Sequence, residues 1–120
     1  MAASAADPTA LAAVEARLRA ILEPYRALLE TATIYGIPTL RRPAATAHDW
    51  FAFVRPAASH VSLFLLPVHT FPELTAGLSP ALAKRLTGKS TFTFTVLDDA
   101  LAAEVEALVA RAYERYAAAG

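Results

Sequence analysis

The residues of this 120-residue chain with the means to do chemistry are three histidines, a Gly-Lys-Ser triplet, a few hydroxyls and a scatter of carboxylates. Gly88-Lys89-Ser90 matches the last three positions of a phosphate-binding loop, whose backbone N–H groups and lysine cradle phosphates. The full motif needs a glycine five residues before Gly88, where Ala83 stands. The triplet also leaves a helical segment and enters a strand, the reverse of the order that aims N–H groups at a phosphate. A helix-capping glycine followed by a solvated lysine is the plainer reading. His48, His60 and His69 fall in three different elements, without the helical pairing of a zinc site. His69 and Glu73 are four apart, but Pro72 interrupts a regular helix between them. No G-x-S-x-G elbow marks a serine nucleophile. His60 and Ser62 share one side of a strand, yet strand rise separates them by roughly 7 Å, too far for direct proton transfer. A small-molecule enzyme built on that pair is therefore the least supported of three functional readings.

The carboxylates do not converge. Glu15, Glu23 and Glu30 belong to the first amphipathic segment, Asp98 and Asp99 to a helix start, and Glu104, Glu106 and Glu114 to the last helix. Each is explained as a solvated helix face or a cap. Arg41-Arg42 reads as part of a polar turn.

Composition narrows the classes further. The length suits one domain able to build a core without staples. No cysteine is present, which removes disulfides, thiolate nucleophiles and Cys-ligated metals and fits a reducing, cytoplasmic setting. The formal net charge is zero, without the basic surplus of a nucleic-acid binder. Alanine makes up about a quarter of the chain, and Asn and Gln are absent, so the bidentate amide reading of adenine is missing too. The Ala-rich first residues lack a signal peptide's cationic and apolar regions. The longest strongly apolar run, Val61 to Val68, is far short of the roughly 20 residues of a membrane span.

The elements that must position any site follow from periodicity. Asp7-Pro8 reads as a helix start, followed by Leu11, Val14, Leu18, Ile21 and Leu22 at helical spacing. Pro24 breaks or kinks that helix, and the apolar pattern resumes at Tyr25, Leu28 and Leu29, with an end expected near Thr31. Ile34 to Leu40 reads as one edge or irregular strand. His48 to Arg55, His60 to Leu66 and Thr91 to Leu97 read as strands. Phe71 to Leu74 reads as a helical turn, and Ser79-Pro80 opens a short helix expected to end at Gly88. The last helix buries Leu101, Val105, Leu108, Val109, Ala112 and Tyr116. Short turns require antiparallel pairing. The expected fold is α+β: an antiparallel sheet of about four to five strands with the N- and C-terminal helices on one face. On that reading Phe51, Phe53, Val61, Leu63, Phe92 and Phe94 face the helices. Trp50, Val54, Ser62, Phe64, Thr93 and Thr95 share the opposite face, with His60 at one end. An exposed Trp and Phe together are the kind of apolar patch that marks binding or self-association.

The segments Ile34-Tyr35-Gly36-Ile37-Pro38-Thr39, His60-Val61-Ser62-Leu63, Phe71-Pro72-Glu73-Leu74, and Gly88-Lys89-Ser90 leading into Phe92 and Phe94, resemble the YdhG-like domain of unknown function. The similarity runs from about Leu11 to Tyr116. It implies a frataxin-like α+β fold with two helices on one face of an antiparallel sheet; the length makes 1–120 a single domain, with residues 1–6 expected to be disordered or frayed. One branch of the family is described as an iron chaperone, which makes iron the one cofactor to consider. This chain departs from an acidic iron-holding ridge, because Arg17, Arg19 and Arg26 interleave with the acids of its first helix. The leading expectation is a non-enzymatic binding or interaction domain. Its candidate contacts are Tyr35, Trp50, His60, Phe64 and Lys89, and its expected partner is a second copy through the open sheet face. Neither nucleic acid nor membrane is expected as a partner.

Overall fold

The computed structural model describes residues 8–34, 37–41 and 50–119. Helix α1 (Pro8–Leu22) runs into a 3-10 turn at Glu23–Tyr25. Strands β1 (Glu30–Ile34), β2 (Ile37–Arg41), β3 (Ala52–Pro56) and β4 (Val61–Leu65) follow. Short helices α2 (Pro67–Thr70) and α3 (Pro80–Ala83), β5 (Thr91–Phe94) and helix α4 (Asp99–Ala119) complete the chain. The sheet order is β1-β2-β3-β4-β5, every pair antiparallel. The α+β architecture is therefore as the periodicity requires, with α1 lying on β3 and β4 and packing beside α4.

Several local details differ from the sequence reading. The helix does not resume after Pro24: α1 ends at Leu22, Leu28 is left exposed, and β1 begins at Glu30. The proline has no N–H for the helical ladder, and Glu30 instead joins β1, opposite Arg41. The single irregular strand expected over Ile34–Leu40 is a hairpin, β1 against β2, with Ile34 opposite Ile37. Tyr35 and Gly36 between them lie outside the described residues, as do Asp7, the Arg42–Thr46 turn and His48. Helix α3 stops at Ala83 rather than at Gly88, because Arg85–Thr87 pairs alongside β5. Gly88 thus belongs to a tight turn between Thr87 and Thr91 rather than to a helix cap. Ser79 does cap α3 as expected, its Oγ accepting the Leu82 N–H at 3.2 Å. Asp98 Oδ1 likewise accepts the Leu101 N–H at 2.8 Å at the start of α4.

The core lies between the sheet and the α1–α4 layer. Leu18, Phe51, Leu65, Leu82, Phe94, Val109 and Ala112 are inaccessible to solvent. Phe51 is its hub, with ring centroids 5.6 Å from Tyr25, 5.8 Å from Tyr113 and 5.5 Å from Tyr116. Burial raises the Tyr25 hydroxyl above its usual pKa range, and the negative charges of Glu106 and Glu114 add to the effect. Two contacts tie the connecting segments to α4. The Arg115 guanidinium lies 4.5 Å from the Phe71 ring centroid and pairs with Glu73. Glu104 accepts from the Ser79 N–H at 2.7 Å and from the Ser79 hydroxyl at 2.5 Å. These bonds from Ser79, the hydroxyl's first, hold the Glu104 carboxyl below the ordinary glutamate range.

Two predictions follow from this packing. Phe51→Ala removes a fully buried ring with three aromatic neighbours, so it should lower unfolding free energy by about 3–5 kcal/mol in denaturant titrations. For Glu104 the folded-state pKa is the lower one. Its stabilising effect is therefore whole above the unfolded value of about 4.3 and fades as pH falls through the folded value. The stability gap between the native chain and Glu104→Ala should be widest near neutral pH and should close on acidification.

Candidate functional site

The backbone at Phe51 decides which side chains reach the face away from the helices. Its N–H donates to Leu40 O at 2.7 Å, towards β2, while its C=O accepts from Leu66 N at 3.1 Å, towards β4. In a regular antiparallel strand both groups of one residue point to the same neighbour. The break behaves as a bulge, and it places Phe51 and Ala52 consecutively in the core. From Ala52 onward alternation is regular. Val54 therefore faces the helices and Phe53 faces away, the reverse of the expected assignment for these two residues. Simple period-2 counting from Phe51 cannot see the added residue.

The register then builds two cross-strand rows on the face away from the helices. Phe53 is opposite Phe64, and Phe64 opposite Thr91. Arg55 is opposite Ser62, and Ser62 opposite Thr93. Beyond β5, Thr93 N–H donates to Arg85 O and Thr87 N–H to Thr91 O, both at 2.8 Å, which adds Arg85 and Thr87 to the rows. Thr87 Oγ1 and Thr93 Oγ1 are 2.9 Å apart, confirming a shared side. The Phe53 and Phe64 rings stack at 4.4 Å with an interplanar angle of 11°, and Trp50 leans on Phe53 at 5.1 Å.

Two of the five candidate residues, Trp50 and Phe64, are joined here through Phe53. Trp50 and Phe64 are half-buried members of the aromatic row. His60 precedes β4 on the same side, two residues from Ser62, and its Nδ1 lies 3.4 Å from Ser59 Oγ. Lys89 is exposed in the Gly88–Ser90 turn at the β5 end. Tyr35 lies outside the described residues. Phe53, Arg55 and Arg85 belong to the face and were not among the candidates. Phe53 was set on the wrong side, and nothing in the sequence pairs Arg85 with Thr93.

The helix side carries a separate feature. Pro38 has no N–H to offer β3, and the β2–β3 ladder is limited to Leu40 opposite Ala52. The strands splay and leave a groove of about 270 Å³ beneath α1, floored by Leu22, Leu40 and Val54. Its arginines are already engaged, Arg19 with Glu15 at 2.8 Å and Arg26 with Glu23 at 3.3 Å. Among the described residues there is no group of three His, Asp or Glu placed to hold a metal ion, and no helix long and apolar enough to cross a membrane. Comparison of the chain with family models, with curated proteins and with solved structures returns no match.

The geometry separates surface from core energetically. Phe64 keeps partial solvent contact and stacks on one ring, whereas Phe51 is sealed among three. Phe64→Ala should therefore cost about 1–2 kcal/mol, well below the Phe51→Ala loss, in the same denaturant titration.

Proposed function

We propose that this chain is a small, non-enzymatic interaction domain that binds through the sheet face opposite its helices. The carrying observation is the contiguous Trp50–Phe53–Phe64 aromatic row on the face away from α1 and α4, in which Phe53 is buried and Trp50 and Phe64 keep partial solvent contact. Apolar patches of this kind on a folded domain are typical of binding surfaces. Trp and Phe bring large contact area with few side-chain torsions to immobilise. The resemblance to YdhG-like domains and the absence of cysteine support a cytoplasmic module of that family.

The other two readings have less to support them. For iron holding, hard cations need several free oxygen ligands. The acids of the first helical segment are instead paired with arginines, Glu15 with Arg19 and Glu23 with Arg26. For a His60–Ser62 enzyme, the His60 ring contact is to Ser59, and Ser62 is covered between Arg55 and Thr93.

The test is binding of the fluorescent apolar dye ANS to the folded protein, with circular dichroism as a check on folding. Trp50→Ala and Phe64→Ala should keep the native spectrum and weaken dye binding by about tenfold, the equivalent of roughly 1.4 kcal/mol. Unchanged dye binding in both variants would remove the sheet face as the site.

A further inference from the structure

We infer that the partner taken by this face is an extended, acidic protein segment carrying apolar side chains, rather than a second copy of the chain or a nucleic acid. The inference rests on the sheet-face reading above and adds the chemistry of the partner. The second cross-strand row runs Arg55, Ser62 and Thr93 on β3, β4 and β5, and continues to Arg85 in the turn after α3, beside the Leu86–Phe92 bridge. Two hydroxyl residues lie between two guanidinium residues. Among the described residues neither Arg55 nor Arg85 has an ion-pair or hydrogen-bonding side-chain partner. Among the described residues of the sheet, the carboxylate on the same side is Glu30, which is paired with Arg41 at 3.2 Å. A chain with zero net charge thus presents a cationic row beside its aromatic row.

Spacing narrows the partner. Adjacent strands lie roughly 4.8 Å apart, so the backbones of Arg55 and Arg85 are about 14 Å apart across three gaps. An extended segment advances about 3.4 Å per residue, so two carboxylates at i and i+4 span the same distance on one side. Arginine suits this role because its fork binds carboxylates bidentately. The aromatic row runs about 7 Å away along the strands, within reach of a long aliphatic side chain.

The alternatives fit less well. A two-fold axis through the middle of the row would set Arg55 of one copy over Arg85 of the other, like charge against like. Bases bind by stacking on exposed ring faces. Here Phe53 and Phe64 turn their faces to each other at 4.4 Å, and Phe53 is buried.

Trp50 is the only tryptophan, so its emission reports on this face alone. The probes are a short acetylated peptide Glu-Leu-Ser-Leu-Glu, its Gln and Lys counterparts in place of Glu, and a short oligothymidylate. The Glu peptide should shift Trp50 emission saturably, with affinity that falls as salt rises. Paired Arg55→Glu and Arg85→Glu changes should weaken it by roughly tenfold or more and favour the Lys peptide. The Arg55→Gln and Arg85→Gln pair should lose affinity without that inversion, and covers the case in which charge reversal disturbs folding. Equal binding of the Gln peptide, equal binding of oligothymidylate, no saturable binding of any peptide, or a dimer by sedimentation that Trp50→Ala dissolves would each overturn the inference. If dye binding still depends on Trp50 and Phe64 while the Glu peptide has no advantage, the sheet-face reading stands and the acidic-partner inference fails.

Discussion

The fold turns on the backbone break at Phe51. Its N–H and C=O bond to opposite neighbours, so one added residue shifts the alternation of β3. Phe51 is thereby sent into the helix layer, where it meets Tyr25, Tyr113 and Tyr116. The same shift turns Phe53 away from the core and against Phe64. A single local irregularity thus supplies both the hub of the core and the middle of the surface aromatic row. Because side chains on a strand alternate strictly, no smaller change could serve both purposes.

Helix packing depends on that hub from both ends of the chain. Tyr25 follows the α1 stop at Pro24, and Tyr113 and Tyr116 lie near the end of α4, so two segments from opposite ends of the chain meet around the Phe51 ring. The connecting segments between β4 and β5 are then clasped to α4 by Glu104 on Ser79 and by Arg115 on Phe71 and Glu73. These contacts keep that stretch on the helix side. The opposite face carries the two rows, one aromatic and one of arginines and hydroxyls. Proline contributes at two places by lacking an N–H: Pro24 ends α1, and Pro38 limits the ladder between β2 and β3.

Much of the architecture is legible in residue order alone. Leu11, Val14, Leu18, Ile21 and Leu22 define the buried stripe of α1, and Val105, Leu108, Val109, Ala112 and Tyr116 define that of α4. Phe92 and Phe94 alternate with Thr91 and Thr93 as a half-buried strand must. The short caps at Ser79 and Asp98 follow from local hydrogen-bonding chemistry. Part of the face was legible: Trp50, Ser62, Phe64 and Thr93 lie away from the helices as the alternation requires. Phe53 and Val54 were interchanged, because a bulge leaves no mark in composition or period.

The sequence by itself determined the α+β class, the antiparallel pairing and the two helical stripes, because each depends on local periodicity and short turns. Tertiary structure alone decided the register of β3, the hairpin at β1–β2 and the pairing of Arg85–Thr87 with β5. The first depends on an irregular backbone, and the two hairpins depend on backbone pairing that side-chain periodicity does not encode. They convert scattered residues into one aromatic row and one cationic row, since neighbours across strands are set by register rather than by sequence spacing.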